Sequence, residues 1–410
     1  MNNTGFLEFE VVPERCLKNE NVEFHIGTPI NQVITMLQQN ARILPNISLY
    51  YSNKDPFNRD VSMHLCNGIK LSFDAQTQLL KLIEVLDLSK IILKYGGQVF
   101  SEPGAEATQE KVEECFGSTH PGEYDENEKV YTQRWRGLSF SFPTNNSLHV
   151  EVTEGFASLH SLKYDSISAP RLMKMTIFKG ASGKSSEPLE VPLLCYCGNS
   201  RLLSADSISD EGIIKGMSFT FLVEDKLKNA TRSTINDFEL VKLQRNIYFG
   251  DHVTKVLAAL GAPSKVFYKS DDKMSIHKGG SREVVDPQPH FFFNYFSMGF
   301  DILFDFTTKR VIKFVLHNNV PGHFHFGVYA RCEFRVECSS GEDESVPLLS
   351  DSKYSDFSRV LQQQQQPVVI HRPASETPGA FGSTYAYGLN QVVVEVMDNS
   401  HIASVTVFEY

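Results

Sequence analysis

The residues of this chain that are capable of chemistry are few and widely spaced. Gly183-Lys184-Ser185 ends like a phosphate-binding loop. That loop needs a glycine five places before Gly183, where Phe178 stands, and a helix behind it, where the sequence reads as a loop. No Gly-x-Ser-x-Gly run supplies a hydrolase nucleophile turn. Cys195-Tyr196-Cys197 would place two thiols on one face of a strand, but no second Cys or His pair stands at zinc-finger spacing, so a structural role is expected. His317, His323, His325, Cys332 and Cys338 offer metal-ligating atoms, with His323 and His325 on one strand face. The competing reading is a turn, Pro321-Gly322-His323, between two strands; it is preferred because no acidic second shell is evident near the histidines. Metal binding, cofactors and catalytic residues are accordingly expected to be absent. Lys265, Lys269, Lys273, Lys278 and Arg282 form a mildly basic region interrupted by Asp271 and Asp272. It is either a patch for a phosphoinositide headgroup or a protein partner, or a solvated loop. The aromatic run from Phe291 to Phe296 reads as core, or as a strong partner site if exposed.

The elements that must position these residues repeat. Gly299 is followed by Phe300, Ile302 and Phe304 at the period-two spacing of a strand with one face on a core, then a turn through Thr308 and a return strand from Val311 to Leu316. Gly68 opens the same pattern with Ile69, Leu71 and Phe73, and Thr77 sits nine places after its glycine, as Thr308 does. Gly137 opens a third copy with Leu138, Phe140 and Phe142, and Gly388 a weaker fourth whose apolar face Gln391 breaks. A recurring hairpin implies one supersecondary unit used several times.

Composition bounds what such a chain does. It has 410 residues, 41% hydrophobic and 21% charged, which describes a globular protein of two or three domains. Thirty phenylalanines against one tryptophan imply aromatic cores. A net charge of -10 makes nucleic acid a poor partner, since that binding rests on neutralising phosphates. Seven scattered cysteines, no basic and apolar leader, and no apolar run long enough for a membrane span imply a cytosolic protein with reduced thiols.

In chain order, helices are expected over about Ile30 to Asn40, after Thr28-Pro29, from Thr108 to Phe116, and from Asp251 to Leu260 before Gly261 and Pro263. Glu10-Val11-Val12, then Phe24 to Gly27 and a helix, parallels Glu239-Leu240-Val241, then Ile247 to Gly250 and a helix. The expected fold class is therefore α+β, with tandem helix-plus-antiparallel-β-hairpin modules in two related halves. The expected boundaries are 1–185, a variable connection at 186–237, and 238–410, the last holding an acidic linker at 339–352 and a run of glutamines from Gln362 to Gln366.

Several stretches resemble the phagosome assembly factor family. They are Val11-Val12-Pro13-Glu14-Arg15, Gly68 to Asp74, Arg136 to Phe142, Val266 to Met274, Asp301 to Asp305, Lys313 to His317 and His401 to Thr406. The resemblance runs from near residue 6 to the C-terminus and departs from about Asn145 to Phe238, in the acidic linker and in the glutamine tract. It implies a cytosolic, non-enzymatic factor recruited to preautophagosomal structures, acting with a WD-repeat β-propeller protein at phosphoinositide-bearing membrane. The alternative is a Golgi or endosomal trafficking protein that binds cargo or coat components.

Overall fold

A computed structural model describes residues 6–409, apart from 118, 120–121, 145–148, 154–158, 164–168, 182–187, 226–238, 270–288, 340–344, 359–365 and 371–381. The chain divides into two compact units, Met1–Cys195 and Tyr196–Tyr410.

The first unit opens with β1 (Leu7–Val12), β2 (Cys16–Lys18), β3 (Glu23–His25) and helix α1 (Ile30–Gln39). Strands β4 (Ser48–Tyr50), β5 (Val61–His64), β6 (Ile69–Phe73) and β7 (Leu80–Val85) then form an antiparallel meander. Next come β8 (Ile91–Tyr95), β9 (Gln98–Ser101) and α2 (Gln109–Phe116). A second meander follows from β10 (Glu123–Asp125), β11 (Val130–Trp135) and β12 (Leu138–Pro143), a ribbon of β13 (His149–Thr153) and β14 (Leu159–Lys163), and finally β15 (Lys174–Phe178). The two meanders join through β7 and β15 into an eight-stranded sheet, β10-β11-β12-β15-β7-β6-β5-β4. A five-stranded sheet, β3-β2-β1-β8-β9, carries one parallel pair, β1 with β8.

The second unit repeats this order. It runs β16 (Ser200–Asp210), β17 (Ile213–Glu224), β18 (Leu240–Tyr248), α3 (Val253–Leu260), β19 (Lys265–Tyr268), β20 (Phe291–Tyr295), β21 (Phe300–Phe304) and β22 (Val311–His317). It continues with β23 (Phe334–Ser339), β24 (Ser345–Leu349), α4 (Tyr354–Phe357), β25 (Val368–Ile370), β26 (Thr384–Leu389), β27 (Val392–Met397) and β28 (Ile402–Phe408). Its sheets are β18-β17-β16-β23-β24 and β19-β20-β21-β22-β28-β27-β26-β25, the same arrangement strand for strand, including the parallel pair β16 with β23.

The α+β expectation is corrected by this architecture. The fold is mostly β, and the helices among the described residues are short, at 10, 8, 8 and 4 residues. Helices of two or three turns do not make a layer; pairs of sheets do. Strands also form where the sequence shows no alternation. Glu14 to Asn21 contains β2, Gly96 to Ala107 contains β9, and the segment expected as an acidic linker contains β24, where Val346 pairs with Cys338. Short strands of mixed polarity lack the alternation that marks a strand in sequence. The repeat also sits differently: the counterpart of β1 is β16, while the segment holding Glu239 to Val241 leads into β18, the counterpart of β3.

The recurring hairpin has a physical basis. Asp74 accepts from both the backbone N–H and the hydroxyl of Thr77, each at 2.8 Å. Asp305 does the same for Thr308, at 2.6 and 2.8 Å. The next residues, Gln78 and Lys309, both have φ of 56°, which closes the turn. Ahead of each first strand, Gly68 and Gly299 have φ of +80°, and a Cβ on either would lie 2.4 Å from a neighbouring atom, of Asp87 or Ala330. The fourth copy is β27, not a strand opening at Gly388, which lies inside β26. Gln391 occupies the glycine position there, and its side chain bonds the backbone N–H and C=O of Ile214. A residue that seemed to break an apolar face is thus a tie between sheets.

The cores are aromatic, as the composition implies. Phe304 is fully buried, with its ring 5.3 Å from Phe291 and 4.7 Å from Phe293. Phe219 stacks on Phe300 at 4.5 Å.

Candidate functional site

Three groupings of side chains bear on function. The first is the basic region. Lys265 opens β19 and Lys269 follows its end; Lys273, Lys278 and Arg282 lie outside the described residues. β19 is the outermost strand of its sheet and, among the described residues, pairs only with β20, in the register Val266 with Phe293 and Tyr268 with Phe291. All four of its residues are exposed: Val266 at 42%, Phe267 at 49% and Tyr268 at 56%, so both faces of an edge strand present apolar side chains. The surroundings are cationic and aromatic. Lys309 places its ammonium 5.2 Å over the Phe291 ring and 3.5 Å over that of Phe306. Burial depresses the basicity of Lys313, and the nearby charge of Lys269 depresses it further. The run from Phe291 divides accordingly: Phe291, Phe293 and Tyr295 are buried, whereas Phe292 is half-buried beside Phe267 at 6.5 Å.

The second grouping surrounds the histidines. His323 and His325 do not share a strand; they lie in the turn-rich segment between β22 and β23, with ring centroids 5.6 Å apart. His317 and His323 each have a carboxylate from another strand. His317 Nε2 lies 2.9 Å from Asp301 Oδ2, and His323 Nε2 lies 3.3 Å from Glu395 Oε1. The Tyr329 hydroxyl donates to Asp301 Oδ2 at 2.8 Å and the Asn294 amide to Asp301 Oδ1 at 2.8 Å, while the Tyr329 ring stacks on His317 at 3.7 Å. Thr384 and Ser404 donate to Glu395 at 2.7 and 2.8 Å. Burial, then the charge of Asp301, pushes the Tyr329 phenol well above its ordinary range. A His–Asp–Tyr set has the chemistry of a proton relay. Here all members are buried and bonded to one another, and a group that acts on substrate must be able to reach it. The arrangement holds the 317–331 segment against the sheet. Cys332 and Cys338 are buried with their thiols pushed upward by desolvation, Cys338 to about 12.

The third grouping was not visible in the sequence. Cys16 of β2 stands directly opposite His25 of β3, and Glu23 lies two residues along on the same face. Cys16 Sγ is 3.7 Å from Glu23 Oε1, which is 2.8 Å from His25 Nε2, and the three ligand atoms all lie within 4.8 Å of one another. Cys195 and Cys197 are not a same-face strand pair; Leu193–Cys195 is a single 3-10 turn, and the Cys195 thiol contacts the Thr28 hydroxyl at 3.7 Å.

The described residues combine paired sheets with an apolar, cationic strand edge. Comparison with known proteins gives the family. The model of the family Phagosome assembly factor 1 matches residues 20–408. A PHAF1 protein of Caenorhabditis elegans is 44% identical over 411 residues, covering 99% of this chain and 95% of that one. PHAF1 proteins of Drosophila melanogaster and Arabidopsis thaliana are 36% and 31% identical, over 98% and 94% of this chain and 94% and 90% of theirs. The chain belongs to the phagosome assembly factor 1 family. Membership points to a role in phagosome assembly, and an assembly factor is not named for a reaction. Among the described residues, no helix is long and apolar enough to cross a membrane.

Proposed function

We propose that this protein is a non-enzymatic adaptor of autophagosome formation, acting in the cytoplasm and at preautophagosomal structures in complex with a WD-repeat β-propeller protein. The observation that carries the reading is the edge strand β19. A strand edge that has no second partner among the described residues, with exposed Val266, Phe267 and Tyr268, invites pairing with another chain, and lysines at both ends of the strand favour an acidic, extended segment. In this reading Lys265, Lys269, Lys273, Lys278 and Arg282 belong to the partner surface, and the partner supplies the contact with phosphoinositide-bearing membrane. A net charge of -10 disfavours electrostatic attraction of the chain itself to anionic headgroups.

Three measurements test it. The propeller protein should co-purify with the wild-type chain and be lost from Phe267→Asp and from Lys265→Glu/Lys269→Glu. Purified chain alone should fail to float with phosphoinositide liposomes. In starved cells lacking the propeller protein, the tagged chain should not form puncta. Tight liposome binding by the chain alone, or normal puncta without the propeller, would overturn the reading.

A further inference from the structure

We propose that Cys16, Glu23 and His25 form a binding site for a zinc-class divalent cation on the β2–β3 hairpin of the first unit. The donor set is one thiol sulfur, one carboxylate oxygen and one imidazole nitrogen. This is a borderline-soft combination that suits zinc, whereas magnesium and calcium require oxygen ligands. Three protein ligands leave a fourth tetrahedral position for water or an added group.

The distances fit. With zinc–sulfur near 2.3 Å and zinc–nitrogen or –oxygen near 2.0 Å, a tetrahedral ion holds its ligand atoms roughly 3.3–3.5 Å apart. The sulfur–oxygen separation of 3.7 Å is already close to that value. The nitrogen–oxygen separation of 2.8 Å is that of a direct ion pair and must open by about half an ångström as the metal replaces the shared proton.

The scaffold holds the ligands in place. Cys16 and His25 are a register pair across β2 and β3, and Asn19 fixes the connecting turn by accepting from the N–H groups of Asn21 and Val22, both at 2.8 Å. Cys16 is 2% exposed, which anchors the sulfur. The Glu23 and His25 side chains are 45% and 19% exposed, which gives an ion a path from solvent. The hairpin leads through Gly27, whose N–H donates to Leu80 O at 2.7 Å, into α1, so a bound ion would stiffen the entry to the first meander.

The test uses the full-length chain, reduced and stripped of metal, and reads metal directly. Zinc titration against a chromophoric chelator should give one site per chain. Cobalt substitution should give a thiolate-to-cobalt charge-transfer band with the visible bands of a tetrahedral ion. Cys16→Ala should abolish the charge-transfer band, and His25→Gln, at a partly exposed position, should weaken zinc binding at least 100-fold, roughly the scale of losing a ligand or its support. Cys66→Ser, which removes an exposed thiol elsewhere, should change neither. Circular dichroism would establish that each variant is folded. Absence of a stoichiometric site, or a site that survives in folded His25→Gln or disappears in Cys66→Ser, would overturn the proposal. None of these readouts depends on the propeller protein, so the two proposals fail separately.

Discussion

Asp301 is the residue on which the buried network of the second unit turns, and removing its carboxylate has a consequence that can be worked out. Its oxygens accept from the Tyr329 hydroxyl at 2.8 Å and the Asn294 amide at 2.8 Å, and pair with His317 at 2.9 Å. Asp301→Ala removes an acceptor from three buried groups, of which the Asn294 amide keeps a longer bond, 3.3 Å, to the Tyr329 hydroxyl oxygen. Hydrogen bonds to a charged group contribute about 1.5–3 kcal/mol each, and the buried negative charge that disappears was itself costly to desolvate. The net loss should be about 3–5 kcal/mol, the range for breaking a buried charged pair. Asp301→Asn keeps the shape and one acceptor but turns an N–H2 group toward a donor, and should cost about 1–3 kcal/mol. His317→Ala in the Asp301→Ala background should cost at least about 1 kcal/mol less than in the wild type, because the two share one network. Denaturant-dependent hydrogen exchange of peptides from β20, β21 and β22 reads the second unit, while fluorescence of the single tryptophan, Trp135, reads the first. A loss under about 1 kcal/mol for Asp301→Ala, or strict additivity with His317→Ala, would refute the assignment of the network as the clamp on the 317–331 segment.

Phe304→Ala empties a fully buried aromatic position between Phe291 and Phe293 and should cost roughly 3–5 kcal/mol in the same exchange experiment. Gly299→Ala places a Cβ 2.4 Å from Ala330 O at φ +80° and should destabilise the same strands by more than about 1 kcal/mol. Glu84 governs a pH response in the first unit. Burial raises its pKa, but hydrogen bonds from Lys174 and Lys70 more than reverse this, leaving it below the ordinary 4.5. The stability it contributes is therefore present above pH 4.5 and lost as pH falls through the depressed value, so urea midpoints followed by Trp135 fluorescence should fall as the pH drops below 4.5. Glu84→Gln should flatten that slope and cost about 3 kcal/mol at neutral pH.

The sequence by itself determined much about the local elements. Period-two runs after Gly68, Gly137 and Gly299 specify β6, β12 and β21, because alternation puts one face on a core whatever lies beyond it. The turn through Asp305 and Thr308 is likewise local, since the aspartate bonds a residue only three places away. The family, too, was legible in runs such as Asp301 to Asp305. Tertiary structure decided the rest. Whether β2, β9 and β24 are strands depends on a partner strand supplying hydrogen bonds, which a segment of three to five residues of mixed polarity cannot announce. Whether His317 and His323 have acidic partners depended on β21 and β27, since Asp301 lies 16 residues from His317 and Glu395 lies 72 from His323. Cys16 and His25 meet only because β2 and β3 pair in one register; shifting it by one would turn the sulfur to the opposite face. Local sequence fixes which way a side chain points along its own strand, and only the pairing of strands fixes what it meets.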